Sequence, residues 1–191
     1  MKIEKFEADG DSATFTLTGS RSGLANAFRR SISGSVPCFA IDRITFYENT
    51  SAMFDEYIAH RIGLIPIKTP ASGYNEKDEI LFSLEATGPS MVFSKQLVSA
   101  DKEVEVANDK IPIIKLGPEQ KLRIEGKAIM GTGSRHSKFQ PGFVTYEESG
   151  DGSFRFSLES FGQMSPAEMV NKAASAIRDE LKEVEKAAKK L

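Results

Sequence analysis

From residue 165 onward the chain carries one unbroken helical signal, and no other stretch constrains the fold as much. Ser165 can cap a helix, Pro166 suits its first position, and Glu168 stands where a capping box needs it. Val170, Ala174, Ile177, Leu181, Val184, Ala188 and Leu191 then recur at alternating steps of four and three. That spacing draws a narrow apolar seam along a helix of roughly 27 residues, ~40 Å at 1.5 Å per residue. The other faces carry Lys172, Arg178, Asp179, Glu180, Lys182, Glu183, Glu185 and Lys186. A compact domain of about 190 residues is itself only ~35 Å across. A rod this long with so thin a stripe either lies across the chain's own sheet or packs part of its seam on another chain.

Of the 191 residues 40% are apolar and 27% charged, and the net charge is −2. This suits one or two soluble domains, and a globular chain of this size buries roughly 70% of its unfolded surface. Such balance excludes a whole-molecule attraction to nucleic acid or anionic membrane. The apolar runs are short against the ~20 residues that span a bilayer, and the charged start MKIEKFEADG does not read as a signal peptide. Cys38 is the only cysteine, so no internal disulfide and no cysteine-based zinc or iron–sulfur site is expected. The setting is then reducing and cytoplasmic. Cys38 lies in an apolar strand pattern, where a thiol is usually an inert core residue.

KIEKFEA, the turn residues DGDS and ATFTLTG predict a β-hairpin with Ile3, Phe6, Phe15 and Leu17 as its apolar residues. Ser20 can cap a first helix whose face is Leu24, Phe28 and Ile32, and Gly34 ends it. Pro37 opens a strand, CFAIDRITFYE, and residues 54–63 form a short second helix. KTPASGYNEKDE is a polar loop, EILFSLEA and KLRIEGKAIMG are strands, and FVTYEES–GDG–SFRFSLES is a second hairpin.

Candidate chemistry is thin. Glu56 and His60 stand four apart on the short helix with Asp55 beside them, and such a pair could grip a divalent metal from one face. A site needs three or four ligands, however, the only other histidine is His136, and no HExxH spacing exists. Salt bridges or hydrogen bonds are the expected work of Asp55, Glu56, His60 and Arg61. GTGSRHSK lacks the spacing of a phosphate loop, so its glycines are expected to serve backbone turns. Arg135, His136 and Lys138 make a small basic cluster without an aromatic platform for nucleic acid, so no strong direct DNA contact is expected. No GxSxG elbow or nucleophile–base set is present. Arg29 and Arg30 follow Phe28 on the first helix, and at least one points away from the apolar face.

N-A-F-R-R, V-P-C-F-A-I-D, E-N-T-S and D-E-Y-I-A-H-R-I-G-L-I-P-I together resemble the assembly motif of RNA polymerase alpha-like subunits. The form resembles the archaeal, D-type member of that family, which is similar to the eukaryotic third-largest subunit and more distantly to bacterial alpha. GTGSRHSKFQP and E-S-F-G-Q-M-S-P-A-E-M-V resemble two further blocks of that family in the same order.

The resemblance implies an α+β fold. A discontinuous dimerisation domain, residues 1–48 and 141–191, would hold a sheet and two helices including the long C-terminal one. A mostly-β domain, 49–140, would be inserted between its halves. It implies an assembly scaffold with no catalytic residues of its own, a subunit of a nucleotidyltransferase complex. Leu24, Phe28, Ile32, Val170, Ile177, Leu181 and Val184 would meet the smaller alpha-like subunit L. Arg29, Arg30, Asp55, Glu56, His60, Arg61, Arg135 and Lys138 would meet the second-largest catalytic subunit and the small subunits N and P. Some relatives carry a cysteine-rich iron–sulfur insertion or a zinc loop. This chain has cysteine in neither place, so no cofactor is expected, and a bacterial-type DNA-binding domain after the last helix is not expected either. Two other readings stand beside this one: a free-standing homodimeric regulator, and a small metal-dependent hydrolase using Glu56 and His60.

Overall fold

The computed structural model describes residues 1–75 and 77–190. The described residues form an α+β fold of two compact units, Met1–Pro37 with Thr132–Leu191, and Cys38–Gly131. The unit edges thus fall at 37 and 132, where the sequence suggested 48 and 141. Strand β3 (Pro37–Asn49) is the reason: it hydrogen-bonds beside β8 (Lys121–Thr132) in the sheet of the second unit.

The first unit is a four-stranded antiparallel sheet backed by two helices. Its order is β1 (Lys2–Asp9), β2 (Ser12–Thr18), β10 (Phe154–Ser160), β9 (Gly142–Glu148). Alternation sends Phe154, Phe156 and Leu158 inward with Phe15 and Leu17. Phe15 stacks on Phe156 at 4.8 Å between ring centres, and Phe28 of α1 (Ser22–Gly34) meets both edge-on. Ile3 and Phe6 are three apart, which on a regular strand would face them opposite ways. A bulge between Glu4 and Glu7, with Lys5 at φ +53°, corrects this and lets Phe6 reach Phe15 at 6.2 Å.

Ser20 does not cap α1. The N-cap is Arg21, without a side-chain bond, because the Ser20 hydroxyl donates to the Arg21 carbonyl instead. The long helix α3 (Pro166–Ala188) begins at the expected cap, with the Glu168 amide donating to Ser165 Oγ at 3.3 Å. Glu168 Oε1 is buried without a partner among the described residues, so the second half of the expected box is not seen. The turn before it is set by Ser160, whose hydroxyl donates to the Met164 carbonyl and accepts from the Gly162 amide.

The second unit holds a four-stranded sheet ordered β3, β8, β4 (Glu79–Thr87), β6 (Val98–Ser99), and a two-stranded ribbon of β5 (Ser90–Phe93) with β7 (Pro112–Leu116). Its core joins Phe39, Ile41, Phe82, Leu84 and Ile124 of the sheet to Ile58 and Ile62 of α2 (Asp55–Gly63). In the polar loop, the Tyr74 hydroxyl donates to Asp101 Oδ2 at 2.9 Å. Loss of hydration and the nearby Asp101 push that phenol up to about 12. No helix is long and apolar enough to cross a membrane among the described residues.

Candidate interaction surfaces

The seam of α3 divides between two roles. Its first turns belong to the unit's own core: Met169, Val170 and Ala173 are buried, and the Ser31 hydroxyl of α1 donates to the Ala173 carbonyl at 3.1 Å. Beyond Ala173 the stripe leaves that core. Ala174 and Ile177 line an apolar cavity of about 180 Å³ with Ile3, Leu17, Leu24 and Phe28. Leu181 and Val184 then stand 62% and 65% exposed, with Ala188 exposed after them. Leu191 lies outside the described residues. Of the seven apolar positions predicted to meet a partner, Ile32 and Val170 are buried in the unit's own packing, and Phe28, also buried, lines the cavity. Leu24, Ile177, Leu181 and Val184 keep surface to offer.

On the same unit the two arginines part company. Arg29 donates through Nε and Nη2 to Asn26 Oδ1, a bond inside its own helix, whereas Arg30 is exposed. The GTGSRHSK loop docks on the end of α1, where Ser134 donates both its amide and its hydroxyl to the Gly34 carbonyl. Gly133 permits this approach, since a Cβ there would lie 2.1 Å from the Ser33 carbonyl oxygen. Arg135 and Lys138 both lie over the Phe139 ring, at 5.4 and 5.2 Å. The loop ends in a single 3-10 turn, Ser137–Phe139, too short to cradle a phosphate.

On the second unit, α2 shows two opposed faces. Ile58, Ile62 and the following Ile65 are buried. Outward stand Phe54 and Tyr57, 72% and 66% exposed with ring centres 6.4 Å apart, then His60, Arg61 and Leu64. The spacing of Phe54, Tyr57, Arg61 and Leu64 is three, four, three, so this aromatic stripe is written in the sequence. The charged residues of the same segment mask it there. The charges themselves work locally. Asp55 Oδ1 accepts from Asn49 Nδ2 at 2.7 Å, and Arg61 Nη2 donates to the Pro112 carbonyl at 2.7 Å. Glu56 and His60 are exposed, and no cluster of three metal-ligating side chains exists among the described residues.

One unit is built from both ends of the chain and the other from the stretch between them, and helices of each leave apolar residues open. The family model for the RNA polymerase Rpb3/RpoA insert domain matches residues 43–145, more than half of the chain. Curated relatives called DNA-directed RNA polymerase subunit Rpo3 extend the likeness. The protein of Pyrococcus furiosus is 44% identical over 153 residues, 77% of this chain and 59% of that relative. That of Thermococcus kodakarensis is 46% identical over the same length and shares. That of Methanocaldococcus jannaschii is 41% identical over 170 residues, 89% of this chain and 86% of the relative. The chain spans about three fifths of the length of the Pyrococcus and Thermococcus proteins. The class is that of alpha-like RNA polymerase subunits. Within it, the chain belongs to the Rpo3 family, the archaeal D-type branch.

Proposed function

We propose that this chain is a non-catalytic assembly scaffold of a cytoplasmic DNA-directed RNA polymerase. Its terminal unit is the dimerisation domain and pairs with the smaller alpha-like subunit L. The pair then docks the second-largest catalytic subunit and the small subunits N and P. One observation carries the reading: the apolar seam of α3 runs past its own core into an open cavity and then into solvent. An apolar stripe at coiled-coil spacing is stabilised by a second helix laid along it, as in an obligate interface. Leu24, Ile177, Leu181 and Val184 supply that contact. Arg30, the Arg135–Lys138 loop and the outer face of α2 serve the larger partners. No iron–sulfur cluster or zinc belongs to the reading, because Cys38 is the sole cysteine and is fully buried.

Reconstitution from separately purified subunits tests this. The chain should form a one-to-one complex with subunit L, and only that complex should take up the second-largest subunit in stable form. A stable homodimer that ignores L would favour the regulator. Hydrolysis by the isolated chain that disappears in Glu56→Ala and His60→Ala would favour the metal enzyme.

A further inference from the structure

The connection from β3 to α2 is organised around the side chain of Asn49, with Ser51, whose hydroxyl also reaches the Met53 carbonyl at 3.3 Å, beside it. Asn49, the last residue of β3, fills all four of its hydrogen-bonding positions. Its Nδ2 donates to the Met53 carbonyl at 2.9 Å and to Asp55 Oδ1 at 2.7 Å. Its Oδ1 accepts from the Ser51 amide at 3.1 Å and the Ser51 hydroxyl at 2.6 Å. Ser51 Oγ in turn accepts from the Met53 amide at 3.2 Å. The loop's first residue is tied separately, with the Lys121 amide donating to Thr50 Oγ1 and the Thr50 amide to the Lys121 carbonyl. Phe54, the N-cap of α2, has no side-chain cap of its own. It sits between Met53 and Asp55, and one amide group holds both.

We infer that Asn49 is the positioning residue for the aromatic edge of α2, setting the directions of Phe54 and Tyr57 toward a docking catalytic subunit. The inference rests on the reading of that face as a docking surface. Two large rings that are 72% and 66% exposed, in contact chiefly with each other at 6.4 Å, gain little from their own fold to fix them. A loop pinned on both sides of Phe54 removes part of the ordering cost that docking would otherwise bear. Helix α2 as a whole needs no such device, since Ile58 and Ile62 anchor it in the core.

The test uses the full chain paired with subunit L and measures binding of the second-largest catalytic subunit beside amide hydrogen exchange. Phe54→Ala with Tyr57→Ala probes the docking face itself and should weaken binding about tenfold or more. Asn49→Asp removes both Nδ2 donations and sets a carboxylate against Asp55. It should weaken binding about tenfold and unprotect the Met53 amide, while the Ser51 amide, still accepted by Oδ1, and those of Ile58 and Ile62 stay protected. Asn49→Asp with Asp55→Asn restores a donor–acceptor pair with the net charge unchanged, and should recover most of the binding. Full binding by Asn49→Asp, where the ring variant fails, overturns the role of Asn49 and leaves the docking face intact. So does a loss that Asp55→Asn does not rescue, or exchange that rises throughout the second unit. Full binding by the ring variant overturns the docking face, and this inference with it.

Discussion

At Arg29 and Arg30 two adjacent guanidiniums have different surroundings. Arg29 is tied to Asn26 inside its helix, while Arg30 is exposed. Arg30→Ala should therefore change the stability of the isolated chain by less than ~0.5 kcal/mol and leave pairing with L intact. Capture of the second-largest subunit should weaken, which a titration of the reconstituted pair would measure. Asp151 works in the β9–β10 turn, where the Ser153 hydroxyl and amide donate to its carboxylate and hold its pKa below the ordinary 3.8. A depressed carboxyl stabilises the fold above its unfolded value and loses that contribution as pH falls through the folded one. Denaturant midpoints should thus fall less steeply below about pH 4 in Asp151→Asn than in the parent. The sequence announced the Asp–Gly turn but could not say that Asp151 would be the acceptor. The mismatch at Ser20 is of the same kind, because a cap depends on where the backbone turns and a serine can spend its hydroxyl on the wrong neighbour.

Among the elements, α3 was legible in outline and misleading in detail. Its start was written in Ser165 and Pro166, and its seam in the four–three spacing. The spacing alone could not say where the chain's own core would let go. That point is Ala173, set by how far α1 reaches through Ser31. Ile177→Asp with Leu181→Asp should then cost the isolated chain less than ~1.5 kcal/mol, since one site is half-buried and the other exposed. The same pair should cost the complex with L about 3 kcal/mol or more, because each carboxylate would be buried against apolar side chains. Paired thermal melts and pull-downs would separate the two effects. Strand β1 reads as an alternating arm in the sequence; its residues are all exposed, and Phe6 meets Phe15 only through the bulge at Lys5. A bulge is one residue of slippage against a partner strand, which local sequence does not record. The α2 stripe shows another case: the spacing of Phe54, Tyr57 and Leu64 is in the sequence, but the charges between them hide it until burial sorts the two faces.

For the whole molecule, the α+β class followed from strand runs, turn residues and one long periodic helix. The placement of β3 did not, since a strand's neighbours are chosen by long-range pairing. The surfaces were legible as segments but not as side chains, because burial divides a stripe that periodicity draws as one. The open end of α3 sets a rule of dosage. On the proposed pairing, a chain made in excess of L carries its leucine and valine edge bare, and bare aliphatic edges are what quality-control proteases and aggregation both select. The level of soluble chain in a cell should accordingly track the supply of L: raising synthesis of this chain alone should swell the insoluble fraction, and raising both together should not.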